Sequence, residues 1–227
     1  MTFMTVNLKQ LAAEYAVDNF VNDGMTVGLG TGSTAYYAIV RVGELVKRGF
    51  KLKCVATSVQ TERIAKECGI TVVDIDDVDS IDVTIDGADE VDPNMQLIKG
   101  LGGALLREKI VAASSREEVI IIDDSKLVDA LGTMSPLPVE VLMFGHRKTK
   151  KALEKQGCTA VLRIKDGRTF VTDGGNYIYD CRFERIDNPF FIESRINVIP
   201  GVVDNGLFLN VATAVVISSA DGSVRMM

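Results

Sequence analysis

Ile81-Asp-Val-Thr-Ile-Asp86-Gly-Ala-Asp89-Glu90 runs an apolar strand pattern straight into a turn that carries three carboxylates within five residues. A strand that ends in clustered acids presents them to something, so the stretch bears on fold and function together. Working outward, Leu8, Leu11, Ala12, Tyr15, Ala16 and Phe20 follow helical spacing until Asn22-Asp-Gly24 stops the pattern. Met25 to Gly30 reads as a short strand. Ser33 is placed to cap the next helix, whose apolar face is Ala35, Ala38, Ile39, Val42, Leu45 and Val46 and whose end is marked by Gly49. Leu52 to Ala56 predicts a strand and Ser58 to Cys68 a helix, with Thr57 and Gln60 as a capping box. Ile70 to Ile75 and Ile81 to Ile85 read as buried strands, Ala104 to Ala113 as a helix, and Val119 to Ile122 as another buried strand. Short apolar strands alternating with helices predict an α/β, Rossmann-like fold: a mostly parallel sheet with helices on both faces. In such folds ligands sit at the carboxyl ends of the strands, where the Gly30 loop, the Asp86 turn and Asp123-Asp-Ser-Lys126 all fall.

The pattern changes after Gly132. Pro136-Leu-Pro138 breaks the alternation, a helix follows over Lys148 to Gln156, and Thr169 to Tyr179 reads as a hairpin around Asp173-Gly-Gly-Asn176. This predicts a smaller inserted α+β domain over 133–205, with the α/β catalytic domain formed by 1–132 and 206–227. Leu207 to Val211 and Ala214 to Ser218 are expected to return the chain to the first sheet.

With 227 residues, 47% of them hydrophobic and 25% charged, the chain has the composition of a soluble globular protein. A formal charge of -6 argues against a phosphate-backbone surface and hence against nucleic acid as a partner. The basic run Arg147 to Lys151 reads as the solvated start of a helix. Cys54, Cys68, Cys158 and Cys181 form no C-x-x-C pair and read as reduced core thiols; the single histidine, His146, has no nucleophile elbow to serve and takes a structural reading. The N-terminal Met1-Thr-Phe-Met-Thr-Val-Asn-Leu lacks a leader pattern and no run is long enough to span a membrane, so no membrane association and a cytoplasmic location are expected.

Four segments carry chemistry. Gly28-Leu-Gly30-Thr31-Gly32-Ser33-Thr34 joins a strand to a helix, where backbone N–H groups and hydroxyls suit a phosphate; it matches neither the P-loop nor the dinucleotide spacing. Asp86 and Asp89 stand open between a solvated turn and a metal site without further ligands, and a phosphatase-like nucleophile in Asp82-x-x-x-Asp86-Gly lacks the usual two-residue Asp spacing. Lys99, ahead of Gly100-Leu101-Gly102-Gly103, offers a cation beside backbone donors, suited to a developing oxyanion. Glu108 lies on a helix whose only polar residues near it are Arg107 and Lys109. Three consecutive residues cover about 200° of the circumference, so they cannot all reach water. Glu108 is thus either a desolvated general base or a buried acid paired with Arg107 or Lys109. Lys126 has two readings, a surface lysine or a phosphate counter-ion.

Taken in order, Gly30-Thr-Gly-Ser-Thr34, Asp86-Gly-Ala-Asp89-Glu90, Lys99 to Lys109, Asp124-Ser-Lys126, Pro136 to Glu140, Thr172 to Asn176 and Ile199 to Val203 resemble type A ribose-5-phosphate isomerases over nearly the whole length. The resemblance implies interconversion of D-ribose 5-phosphate and D-ribulose 5-phosphate in the pentose phosphate pathway, without metal or organic cofactor, by a homodimer or higher homo-oligomer. It implies that Thr31, Gly32, Ser33, Thr34 and Lys126 hold the phosphate, that Asp86, Gly87, Ala88, Asp89, Lys99, Gly100, Leu101 and Gly102 line the sugar site, and that Glu108 is the base, with Asp86, Asp89 and Lys99 serving hydroxyl protons, ring opening and enediolate charge. Leu101 departs from the glycine usual in the family, which puts the backbone conformation there in question. Two other classes are weighed against an isomerase: a non-catalytic sugar-phosphate sensor, and a sugar-phosphate deaminase or coenzyme A transferase on a similar sheet.

Overall fold

The computed structural model describes residues 7–227; the reading of the extreme N-terminus therefore lies, for residues 1–6, outside the described residues. In chain order the elements are α1 (Leu8–Phe20), β1 (Thr26–Leu29), α2 (Ala35–Lys47), β2 (Lys53–Ala56), α3 (Val59–Glu67), β3 (Ile81–Gly87), β4 (Glu90–Val91), β5 (Leu97–Ile98), α4 (Leu105–Ala113) and β6 (Ser115–Asp123). They continue with β7 (Leu137–Val141), α5 (His146–Glu154), β8 (Thr159–Leu162), β9 (Ile164–Lys165), β10 (Arg168–Thr169), β11 (Tyr177–Arg182) and α6 (Pro189–Asn197). The last four are β12 (Val202–Asn205), β13 (Leu207–Phe208), β14 (Ala214–Ser218) and β15 (Val224–Met226).

The described residues form two compact units, one of those up to Gly87 with 110–126 and 211–227, and one of 88–109 and 127–210. The first is the α/β unit. Its six-stranded sheet has the order β15-β14-β6-β3-β1-β2, with every neighbouring pair parallel except the terminal β14–β15 pair. Parallel neighbours need crossovers, and α2 and α3 supply them between β1, β2 and β3. The central strands are apolar on successive residues because both faces are covered: Val119, Ile120, Ile121 and Ile122 are all buried, as are Val215, Val216 and Ile217. α1 packs through Ala12, Ala13, Ala16 and Val17, small enough for close approach to the sheet.

Local signals differ from expectation in three places here. Thr34, not Ser33, sits at the α2 N-cap and its side chain caps nothing, while Ser33 Oγ accepts from Lys9 Nζ at 2.9 Å. α3 is capped by Ser58, whose Oγ accepts from the Thr61 N–H at 3.0 Å; the Thr57 hydroxyl instead donates to the Leu29 carbonyl. The segment 70–75 is no strand. It makes a single bridge, Cys54 to Val72, and then curls into a 3-10 turn over Ile75–Asp77, because the Asp74 carboxylate accepts the Asp76 N–H.

The second unit holds a four-stranded antiparallel sheet in the order β12-β7-β11-β8, a three-stranded sheet β13-β5-β4, and the β9–β10 hairpin. Leu137, Val139, Val141, Tyr179, Cys181 and Ile196 centre its core. The hairpin expected over Thr169 to Tyr179 does not form. Thr169 pairs with Ile164 while Tyr177 and its successors pair with β7 and β8, so the flanks of the Asp173 turn join different sheets. The turn is held by Glu140, whose Oε1 accepts from Thr172 Oγ1 at 2.8 Å and Asn176 Nδ2 at 2.9 Å. Leu207 and Phe208 pair with β5 rather than returning to the first sheet; only Ala214 to Ser218 does so. The unit boundaries drawn from the sequence differ for the same reason. Residues 88–109 carry β4 and β5, which pair with each other and with β13, and so belong to the second unit. α4 passes through the boundary, its residues to Lys109 belonging to the second unit and those from Ile110 to the first.

His146 Nδ1 lies 2.8 Å from the Tyr179 hydroxyl, a structural pairing. All four thiols are free, and burial pushes that of Cys54 up to about 12. No helix among the described residues is long and apolar enough to cross a membrane.

Candidate active site

In the α/β unit, the loop after β1 is built around β3. A Cβ on Gly30 would lie 2.1 Å from Asp86 Oδ1 and 2.6 Å from the Asp86 Cα, so glycine is demanded by the neighbouring strand. The close approach lets Asp86, buried, accept the Thr31 N–H at 3.1 Å, while the same oxygen accepts the Gly87 N–H at 2.7 Å. The Thr31 hydroxyl points into a cluster of Thr57, Ser58 and Thr61 hydroxyls at 2.8–3.0 Å. Thr31 thus anchors the loop through both its N–H and its hydroxyl. Gly32 and Ser33 stand exposed at the start of α2, with Thr34 half-buried behind them. A cavity of about 440 Å³ opens there, lined among others by Lys9, Gly32, Ser33, Tyr36, Gln60 and Thr61. A helix N-terminus with a lysine at its mouth suits an anion by both charge and dipole. Lys9 is absent from the sequence reading: it lies 24 residues before Ser33, in a helix whose periodicity speaks only of packing. Lys126 ends a 3-10 turn following β6, half-buried, at the same carboxyl edge of the sheet.

The three acids of the 86–90 turn part company. Glu90, fully buried in the second unit, accepts the backbone N–H groups of Gly132 at 2.6 Å, Met134 at 2.7 Å and Ser135, and so serves as a cap for that loop. Asp89 reaches the glycine loop instead, its Oδ2 accepting the Leu101 N–H at 2.9 Å, and its own N–H donates to Ile98.

Within the second unit Lys99 and Glu108 are brought together. They are 2% and 3% exposed, and Lys99 Nζ stands 3.4 Å from Glu108 Oε2. A charge so deeply buried needs a partner, because leaving it alone costs several kcal/mol. Neither neighbour on the helix supplies it: Arg107 is exposed, and Lys109 is spent on Asp204 Oδ1 at 2.6 Å and the Asn205 carbonyl at 2.7 Å. Lys99 Nζ lies over the Phe208 ring, 5.3 Å from its centroid. The Lys99 N–H is tied to the Gly206 carbonyl at 2.9 Å.

The Gly100–Gly103 turn takes positive φ at Gly100 (105°) and Gly103 (87°) but not at Leu101, whose side chain is 42% exposed. Leu101 therefore sits in a backbone conformation open to any residue. Arg163 also reaches this loop, donating from Nη1 to the Gly100 and Leu101 carbonyls.

The first unit has the fold of an α/β protein, and comparison with known proteins makes the chain an isomerase. The sequence model of ribose 5-phosphate isomerase A (phosphoriboisomerase A) matches residues 53–222. A ribose-5-phosphate isomerase A of Bacillus mycoides is 50% identical over 218 residues, 96% of this chain and 98% of that one. Among solved structures, a ribose 5-phosphate isomerase from Plasmodium falciparum superposes with a TM-score of 0.94 at 44% identity, covering 96% of this chain and 97% of that one. A D-ribose-5-phosphate isomerase in complex with phospho-erythronic acid gives 0.93 at 40% identity, with 98% and 99% covered. The chain belongs to the ribose 5-phosphate isomerase A family.

Proposed function

We propose that the chain interconverts D-ribose 5-phosphate and D-ribulose 5-phosphate through an enediolate, with Glu108 as the base. The observation that carries the reading is the buried Glu108–Lys99 pair beside the glycine loop. Glu108 takes the proton from C2 of the open-chain aldose; the C2–H electrons form the C1–C2 double bond, and the carbonyl pair moves onto O1. A proton then passes from O2 to O1, the C2–O2 bond becomes a carbonyl, and Glu108 returns its proton to C1. Lys99 and the loop N–H groups balance the enediolate charge, while Asp86 and Asp89 serve the hydroxyl protons and ring opening. Gly32, Ser33 and Thr34 receive the phosphate on a loop held by Thr31, with Lys126 and, added by its contact with Ser33, Lys9 as counter-ions. Binding of phospho-erythronic acid, a phosphorylated acid, by a 40% identical relative supports a phosphorylated ligand here. Family membership further supports a place in the pentose phosphate pathway, a cytoplasmic location and a homodimer or higher homo-oligomer.

The test is turnover of ribose 5-phosphate by EDTA-treated protein, with Glu108→Gln alongside. The variant is expected to fold and to lose about 10²–10⁴-fold in kcat. Near-normal turnover by a folded Glu108→Gln protein removes Glu108 from the role of base.

A further inference from the structure

We infer that Arg163, held by Asp180, is a positioning residue for the isomerisation: it fixes the orientation of the peptide groups in the Gly100–Gly102 loop. The inference rests on the proposed role of that loop in holding the enediolate. Arg163 follows β8, and its side chain is 11% exposed. Its Nε donates to Asp180 Oδ2 at 3.0 Å and its Nη2 to Asp180 Oδ1, a two-pronged pairing that holds the guanidinium plane. The remaining prong, Nη1, donates to the Gly100 carbonyl at 2.9 Å and the Leu101 carbonyl at 3.2 Å.

What this does follows from amide geometry. The Gly100 carbonyl and the Leu101 N–H belong to one trans peptide and point in opposite directions. The first is taken by Arg163 and the second by Asp89 Oδ2 at 2.9 Å, so that peptide plane is gripped at both ends by charged groups. In the next peptide the Leu101 carbonyl also turns to Arg163, which aims the Gly102 N–H the opposite way. A donor aimed in advance needs no reorganisation when charge develops, which is where such donors gain their strength. The loop also rests on the side chains beside Arg163. Phe170 lies with its ring 5.9 Å from the Arg163 guanidinium carbon, and its Cζ is 2.4 Å from where a Gly103 Cβ would stand. Because Asp180 balances the charge, Arg163 acts here through donor geometry rather than as a second free cation. Lysine, with a point charge and no fork, cannot hold the carboxylate in two prongs and both carbonyls at once.

The experiment compares wild type, Arg163→Met, Arg163→Lys, Asp180→Asn and Glu108→Gln by kcat, KM and thermal melting. Arg163→Met is expected to lose about 10–100-fold in kcat, the range seen when supporting residues around a site are removed, with KM little changed and with partial recovery on adding millimolar guanidinium ion. Arg163→Lys should stay impaired and Asp180→Asn should fall in the same direction by less. Where Arg163→Met fails to fold, the folded Arg163→Lys variant decides by the same kcat-against-KM split. A folded Arg163 variant with wild-type kcat overturns the inference, as does a loss that tracks melting temperature alone and is not restored by guanidinium. Should those occur while Glu108→Gln is inactive, the proposed function stands and only Arg163's role falls; an inactive wild type, or an active Glu108→Gln, strikes the proposed function itself.

Discussion

The two glycine-rich loops, Gly28–Thr34 and Lys99–Gly103, look alike as strings and are crowded by different neighbours: strand backbone at Gly30, side chains at Gly100 and Gly103. In the first, Gly30 is imposed from outside, because β3 passes so close that Asp86 stands where a side chain would go, while Gly32 takes a positive φ of 120° in open space. In the second, Gly100 and Gly103 take positive φ and also have the Leu105 and Phe170 side chains where a Cβ would go, while the intervening Leu101 carries a side chain without positive φ. The holding groups differ as well. An aspartate takes a backbone N–H in each, Asp86 that of Thr31 and Asp89 that of Leu101, but hydroxyls gather around Thr31 where an arginine holds the carbonyls of the second loop. A glycine run therefore marks close approach or backbone curvature, and what the loop serves must be read from its partners.

Substitutions can break this contrast. Gly30→Ala should cost most, about 3 kcal/mol or more, because a backbone atom of Asp86 blocks the methyl and cannot rotate away; overpacking of this kind usually costs about 1–3 kcal/mol even where side chains can adjust. Chemical denaturation measures it, and a loss below 1 kcal/mol would contradict an externally imposed glycine. Gly103→Ala should cost about 1–2 kcal/mol for the left-handed conformation alone, with more for displacing the Phe170 ring, whose blocking atom is the tip of a side chain. Leu101→Gly should have the smallest effect, a loss of less than about 1 kcal/mol from added unfolded-state freedom. If it raised the melting temperature instead, Leu101 would be strained after all.

Much of the α/β unit was legible because its signals are local. Helical spacing marks α1 and α2, capping signals mark α3, and a continuous apolar run marks β6, where burial on both faces erases the alternation still visible in Ile81, Val83 and Ile85 of β3. The segment 70–75 misled because its apolar run looks like a strand, while Asp74 offers its backbone a competing turn. In the second unit, strands two residues long such as β4, β5 and β13 lie below what any pattern reveals, and they set the unit boundary. Within the candidate site, Lys99 and Glu108 stood out by residue type and spacing, although the partner of Glu108 was sought among its helix neighbours and is found in the loop before the helix. Glu90 looked like a member of the acidic site and caps a loop 42–45 residues on. Arg163 was invisible for the same reason: the carbonyls it holds are 62–63 residues away.

The pairing of β6 with β14 has a consequence for the making of the chain. The Glu118 N–H finds the Thr213 hydroxyl 95 residues later, and the apolar flank of Val119 to Ile122 is completed only by Ala214 to Ile217. At ordinary ribosomal speeds of about 5–20 residues per second, β6 waits roughly 5–20 s for that neighbour. Throughout the wait it is an apolar strand with an open hydrogen-bonding edge, a template for pairing with other chains. The second unit, whose residues 127–210 are made in that interval, has time to fold while the first still lacks a strand. An edge left open for that long favours pairing between chains, so the late arrival of Ala214 to Ser218 ties solubility during synthesis to the last strand but one.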